Sequence, residues 1–92
     1  MGSHLTEKTE GVEYPLTFPI KIIGHSRPNF KENVLETLRK YAPDVDDNEV
    51  TASMSSNNTY ISLTCTFLAK SREHLETIYG ELKAIPTVSI VL

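Results

Sequence analysis

The first apolar pattern along the chain has the two-residue period of a strand. Over residues 16–24, one face is apolar and consists of Phe18, Ile20 and Ile22. The other face carries Thr17, Pro19 and Lys21, so the segment predicts a half-buried strand. Proline has no N–H to donate to a sheet ladder. We therefore expect Pro19 near the strand start or where its missing N–H faces no partner.

Apolar residues then recur at helical spacing, in a stripe made of Phe30, Val34, Leu35, Leu38 and Tyr41. Pro28 favours a first helical turn, while Asn29 with Glu32 offers a capping box one step later, so two starts stay open. Pro43 disfavours helical geometry at Ala42 and should end the helix. The stripe predicts a helix with one buried face.

Two more alternating segments predict a hairpin. In the first, Val50, Ala52 and Met54 alternate with hydroxyl residues. In the second, over residues 60–68, one face consists of Ile61, Leu63, Cys65 and Phe67. Asn57-Asn58 between them suits a tight turn because asparagine tolerates positive φ. We expect Leu63, Cys65 and Phe67 to be buried. We expect accessible side chains at Ser62, Thr64 and Thr66.

A second helical stripe follows, made of Leu75, Ile78, Tyr79, Leu82 and Ile85. Ser71 can cap this helix. Gly80 costs about 1 kcal/mol relative to alanine inside a helix, which we interpret as close packing on the sheet. Pro86 stops the helix, and residues 87–92 predict a last strand with Val88, Ile90 and Leu92 in phase.

The order strand, helix, strand, strand, helix, strand predicts an α+β fold, a ferredoxin-like βαββαβ sandwich. It has a four-stranded antiparallel sheet with two helices on one face. Ninety-two residues suit one small domain, which we place at residues 14–92. Residues 1–13 are polar and without period, which predicts a flexible tail, and Gly2-Ser3-His4 in it resembles a cloning remnant.

Charge and cysteine content exclude several classes of protein. The net charge of −3 and nine dispersed Lys and Arg residues argue against nucleic acid and anionic membranes as partners. No apolar run approaches the roughly 20 residues that span a bilayer, and the chain shows no signal peptide. The lone Cys65 cannot form an intramolecular disulfide. These features predict a cytoplasmic protein.

Two surfaces of the predicted fold are candidate sites. The loop before the first helix presents backbone N–H groups and an arginine that suit a small anionic ligand; its residues are Gly24, His25, Ser26 and Arg27. The polar face of the sheet could dock a partner protein around a small apolar centre; its residues are Ile23, Tyr60, Ser62, Thr64 and Val91. A solvated loop and a solvated sheet face are the alternatives.

No residue pattern predicts a metal, a cofactor or a catalytic group. The acidic stretch of Asp44, Asp46, Asp47 and Glu49 lacks the central glycine and terminal glutamate of a calcium-binding EF-hand loop. His25 and His74 have no ligand spacing. Cys65 lies midway along an apolar strand face and is interpreted as a buried small hydrophobe. We expect a monomer or a weak homodimer.

Several short motifs are similar to those of one family: Phe18-x-x-Lys21-x-x-Gly24, Ala42-Pro43, Ser55-Ser56 with Tyr60-x-Ser62, and the segment from Glu76 to Leu82 with Val91-Leu92. The chain thereby resembles the YbeD family of small bacterial proteins of unassigned function, over residues 18–92. The resemblance implies a relation to ACT regulatory domains, which bind small molecules between the first strand and first helix, often across a subunit interface. Asn29 stands where ACT domains usually have glycine.

These observations favour a non-enzymatic regulatory or interaction module that binds a small anion or a partner protein. One alternative is a small acylphosphatase-like hydrolase that holds phosphate with Arg27, although the loop lacks the glycine spacing of that family. The other is a single-stranded RNA-binding module that stacks bases on its sheet. Tyr60 has no second aromatic residue to match it on that face.

Overall fold

The computed structural model describes residues 13–92, so the expected tail, apart from Glu13, lies outside the described residues. The elements in chain order are β1 (Leu16–His25), α1 (Phe30–Arg39), a 3-10 turn (Asp47–Glu49), β2 (Thr51–Met54), β3 (Tyr60–Ala69), α2 (Arg72–Lys83) and β4 (Val88–Val91). The sheet order is β2-β3-β1-β4, and every neighbouring pair is antiparallel. The predicted ferredoxin-like fold is confirmed.

The two long strands form the centre of the sheet. β1 and β3 pair from Leu16 opposite Ala69 to His25 opposite Tyr60. Their helix-facing side chains are buried, namely Phe18, Ile20, Ile22, Leu63, Cys65 and Phe67. The other face of β3 carries partly exposed hydroxyl residues. The phase predicted for both strands is therefore confirmed, because alternation places every second side chain under the helices.

Pro19 lies where its missing N–H costs no hydrogen bond. The Lys21 N–H donates to the Leu92 carbonyl oxygen at 3.1 Å across the β1–β4 edge. Two residues earlier, Pro19 directs its ring nitrogen towards the same edge, and β4 pairs with β1 only from Ile22 to Gly24. No described strand therefore faces the position of the absent donor, as expected for proline at an edge.

Each helix buries the predicted stripe and starts at one of the predicted caps. α1 begins after Asn29, the later of the two predicted starts, although the Asn29 side chain makes no capping hydrogen bond. α2 begins after Ser71, whose hydroxyl accepts the His74 N–H at 3.0 Å. The last residue of each predicted stripe, Tyr41 and Ile85, lies beyond the helix end and still packs against the core.

Gly80 does not pack on the sheet, so that interpretation is wrong. It is exposed, and a Cβ built there meets no heavy atom within 4 Å. We expect Gly80→Ala to stabilise the domain by up to about 1 kcal/mol, because alanine restricts the unfolded chain and fits the helix without strain. Urea unfolding should show a higher midpoint, and an unchanged or lower midpoint would contradict this.

The sequence predicted that Val88 and Ile90 of the last strand face the same side. This prediction is wrong for Ile90. A bulge between Ile23 and Gly24 shifts the register, so that Ile22 lies opposite Val91 and Ile23 lies opposite Ile90. Val88 and Val91 therefore both pack against the core, while Ile90 is 48% exposed. A bulge adds one residue to one strand, and this reverses the facing of every residue after it.

Candidate functional site

The loop before the first helix, which the sequence predicts to bind an anion, is partly closed by backbone hydrogen bonds. Gly24 and His25 end β1, and residues 26–29 lead into α1. The His25 N–H donates to the Thr87 carbonyl oxygen, and the Ser26 N–H donates to the Thr59 carbonyl oxygen, both at 2.9 Å. These two backbone donors of the predicted loop are thus committed to the fold.

Gly24 is required for packing. It is buried, and a Cβ at this position would overlap the Thr87 carbonyl oxygen and the Phe30 ring. The absence of a side chain lets the end of β1 lie against the start of β4 and the first turn of α1. Gly24 therefore allows the close packing of this junction.

Arg27 and the following turn remain available to a ligand. The Arg27 side chain is exposed. Among residues 13–92, no hydrogen-bond acceptor is seen for the backbone N–H of Arg27 or Asn29. These groups precede the N-terminus of α1, where the helix dipole favours negative charge. A carboxylate or phosphate could bind here at the protein surface.

The two predicted sites adjoin each other. His25 lies opposite Tyr60 in the β1–β3 register, and their ring centroids are 5.1 Å apart at an interplanar angle of 34°. The Ser26 hydroxyl lies 3.8 Å from the Met54 sulfur. The sequence placed His25 and Tyr60 in separate sites, since it did not predict the register that brings the loop beside the sheet face.

The sheet face opposite the helices, hereafter the uncovered face, carries four of the five predicted interaction residues. Its members are Thr17, Pro19, Lys21, Ile23, His25, Thr51, Ser53, Tyr60, Ser62, Thr64, Thr66, Leu68 and Ile90. Ile23, Tyr60 and Ser62 line one depression of about 210 Å³. Thr64 lines a second depression, of about 290 Å³, beside Lys21.

Val91 is the predicted interaction residue that the structure places elsewhere. It lies opposite the buried Ile22 and packs against the core. Ile90, which the sequence assigned to the buried side, takes its place beside Ile23 on the uncovered face. The cause is the bulge in the β1–β4 pairing, and the apolar run at residues 90–92 contains no polar residue that would mark the change of face.

The acidic stretch stabilises the segment before β2. The Arg39 guanidinium pairs with the Asp47 carboxylate. Asp46 accepts the Asn48 N–H at 3.0 Å, and Asp44 accepts the Leu68 N–H at 3.4 Å. Within residues 13–92, no group of three His, Cys, Asp or Glu side chains is arranged to hold a metal ion.

The surroundings of Cys65 favour the protonated thiol, which is a poor nucleophile. The residue is fully buried, and desolvation raises its pKa from 9.0 to about 11, outweighing the attraction of Arg39 and Lys31. The thiolate is the reactive species. We expect native Cys65 to resist a thiol-specific reagent at about pH 8 and to react fully in denaturant. Rapid modification of the folded protein would contradict the burial.

His74 ties α2 to the ends of α1 and β3. Its Nε2 lies 2.6 Å from the Tyr41 carbonyl oxygen, and its Nδ1 accepts the Lys70 N–H at 3.0 Å. Because a carbonyl only accepts and an N–H only donates, the neutral ring with its proton on Nε2 satisfies both partners. Both ring nitrogens are thus engaged within the fold.

We expect His74→Ala to lower the free energy of unfolding by about 1–3 kcal/mol, because it leaves two backbone groups without partners. Denaturant titration measures this loss, and nitrogen chemical shifts of the ring should report the Nε2–H tautomer. A ring with its proton on Nδ1 would contradict the assignment.

The chain folds as a small α+β domain whose architecture is similar to that of ACT domains. A Helicobacter pylori protein solved in solution matches with a TM-score of 0.71 at 17% identity, over 92% of this chain and 89% of that one. The ACT domain of GTP pyrophosphokinase from Chlorobium tepidum matches with a TM-score of 0.65 at 15% identity, over 85% and 96%. These likenesses concern the fold.

The chain belongs to the family described as "Protein of unknown function (DUF493)", whose model matches residues 9–92. A UPF0250 protein of Nitrosomonas europaea is 44% identical over 81 residues, which span 88% of this chain and 93% of that protein. A UPF0250 protein of Neisseria gonorrhoeae is 38% identical over 85 residues, or 92% and 93%. The resemblance to the YbeD family is confirmed. These names assign no enzymatic activity.

Within residues 13–92, neither helix is long and apolar enough to cross a membrane.

Proposed function

We propose that this protein is a non-enzymatic interaction module that binds a partner protein through the uncovered face of its sheet. The observation that carries the proposal is the exposure of Tyr60 and Ile90, at 43% and 48%, on a face that no described helix covers. Large apolar side chains grouped on one surface are typical of interaction sites. The bacterial relatives support a bacterial setting, and we place the protein in the cytoplasm.

The size of the uncovered face favours a modest, reversible interface. Four strands about 4.8 Å apart, with central strands about 33 Å long, give an area of at most about 600 Å². A standard interface buries about 800 Å² on each partner. The proposed complex therefore has the scale of a regulatory contact that forms and dissociates.

The charge of the uncovered face indicates what the partner presents. Among the described residues of this face, Lys21 carries the only full charge. Around it lie hydroxyl side chains, and Ile23 and Ile90 form the apolar centre. A matching partner offers an apolar surface with a carboxylate opposite Lys21. One cation is too few to neutralise a nucleic-acid backbone, so we do not propose an RNA partner.

Affinity capture from extracts of the bacterial source, with matched variants, tests this proposal. Ile90→Asp places a charge at the apolar centre and should abolish capture of the partner. Thr77→Asp places the same charge on the exposed side of α2 and should leave capture intact. Both variants must keep the wild-type amide spectrum. Equal capture by both variants would overturn the proposal.

A small anion at the turn before α1 is a second candidate, favoured by the exposed Arg27 and the adjacent unengaged N–H groups. An NMR titration with phosphate, nucleotides and amino acids should shift the amides of residues 24–30. Arg27→Ala should abolish the shift, whereas Lys40→Ala, at the far end of α1, should preserve it. Unmoved amides with all three probes would remove this candidate.

Hydrolase activity is the result that would reverse the non-enzymatic part of the proposal. The N–H groups of His25 and Ser26 are bonded within the fold and are not free to cradle a phosphate. We expect no turnover of an acyl phosphate. Turnover that disappears in Arg27→Ala would establish an enzyme.

A further inference from the structure

The uncovered face presents side chains to a partner, because the backbone groups of its strands are directed elsewhere. The four strands hydrogen-bond to one another in the plane of the sheet, and side chains alone project from the face. An extended segment lying across it would bury N–H and C=O groups with only scattered hydroxyl groups as partners, which costs free energy. A helix bonds its own backbone groups and has no such cost. The face therefore favours a helical segment over an extended one.

A partner sheet also satisfies its own backbone, but the composition of the uncovered face disfavours it. Sheets pack face to face through apolar side chains on several strands. Here β2 and β3 contribute mainly hydroxyl residues, while Ile23 and Ile90 lie opposite each other on β1 and β4. Such a narrow apolar contact suits one helix, whose diameter of about 10 Å covers about two strands.

Two depressions on this face follow the direction of the central strands. The first, hereafter the apolar depression, has a volume of about 210 Å³ and includes Ile23 and Tyr60. The second, hereafter the lysine depression, has a volume of about 290 Å³ and includes Pro19 and Lys21. Because Tyr60 lies opposite His25, the two centres are about four residues, or about 13 Å, apart along the strands. Two turns of a helix span about 11 Å and return to the same side of it, so side chains of one helix can reach both depressions.

The two depressions select different side chains. Ile23 and Tyr60, with Ile90 beside them, offer contacts to an apolar side chain. Lys21 is exposed, and within residues 13–92 no carboxylate forms an ion pair with its ammonium group. A carboxylate from the partner would supply that missing charge. The matching surface is therefore apolar at one point and acidic about two helical turns away.

We infer that the partner contributes one amphipathic helix, which lies along β1 and β3 on the uncovered face. An apolar side chain of this helix occupies the apolar depression, and a carboxylate two turns away pairs with Lys21 in the lysine depression. The inference rests on the proposed function and adds to it the kind of segment that the partner presents.

Titration of the isotope-labelled full chain with synthetic helices tests the inference. The matched peptides have an uncharged alanine and glutamine host of about 20 residues, so that they are helical in isolation, and carry a leucine and a glutamate two turns apart in either order. We expect them to shift the amides of Ile23, Ser62 and Thr64 with a dissociation constant of about 1 mM or tighter. Charge-reversed peptides, with lysine in place of glutamate, should bind about fivefold more weakly. Broken peptides, with a proline between the leucine and the glutamate, should not bind.

A charge exchange on the protein provides the matched control. Lys21→Glu should reverse the preference, so that this variant binds the lysine peptides better than the glutamate peptides. Lys31→Glu, the same change on the exposed side of α1, should keep the wild-type preference, and both variants must retain the wild-type amide spectrum. Equal affinity for matched and broken peptides, or a preference that Lys21→Glu leaves unchanged, would overturn the inference.

Failure of this inference can be told apart from failure of the proposed function. If no helical peptide shifts the uncovered face while Ile90→Asp still abolishes capture of the partner protein, the helix is wrong and the face remains the binding surface. If the peptides do not bind and Ile90→Asp captures the partner like the wild type, both are wrong. Peptide-induced shifts confined to the exposed sides of α1 and α2 would also overturn the inference.

Discussion

Replacing Gly24 with alanine is expected to destabilise the domain by about 3 kcal/mol, at the upper end of the range for overpacked sites. The added methyl group would overlap the Thr87 carbonyl oxygen and the Phe30 ring. The carbonyl belongs to the backbone and accepts the His25 N–H, so it cannot move without breaking the contact between β1 and β4. Urea unfolding measures the loss.

Gly80→Ala is the matched control for this experiment, since it makes the same chemical change at an open position. The two variants should move the unfolding midpoint in opposite directions. A Gly24→Ala variant as stable as the wild type would contradict the close packing of this position against Thr87 and Phe30.

Phe67→Ala is expected to lower the free energy of unfolding by about 3–5 kcal/mol, the usual cost of removing a buried aromatic ring. Phe67 is 2% exposed and contacts the rings of Phe18 and His74, with centroids 6.2 Å away in each case. Both neighbours belong to elements that hold the sheet and α2 together, so the cavity cannot close by local adjustment.

Thr64→Ser, three residues earlier on the uncovered side of the same strand, should change stability by less than about 0.5 kcal/mol. The pair of variants therefore measures the strand phase directly. Equal losses from the two substitutions would mean that β3 does not divide into a buried and an accessible face.

The central strands were predictable because alternation over a long segment defines both faces. β1 and β3 each run for ten residues with one buried side, and a slip by one position would expose the whole apolar set. β4 has only four residues, and the bulge in its pairing with β1 reversed its phase. The alternation of apolar and polar residues along β4 indicates neither the bulge nor the resulting positions of Ile90 and Val91.

The residues of the loop before α1 could be predicted from the sequence. The backbone hydrogen bonds that partly close this loop could not. Arg27 before a helix start follows from the sequence, because Pro28 and the apolar stripe mark the helix. The bonds from His25 and Ser26 to Thr87 and Thr59 join residues more than thirty positions apart. Such long-range pairing depends on the sheet register, as does the contact between His25 and Tyr60.

Binding of a partner through the uncovered face is tested most directly by adding the captured partner to the isotope-labelled protein and mapping the amide chemical shifts that change. The proposed function requires shifts at Ile23, Tyr60, Ser62 and Ile90, with the exposed sides of α1 and α2 unchanged and with no response in Ile90→Asp. Shifts centred on the helices, with the uncovered face silent, would contradict it.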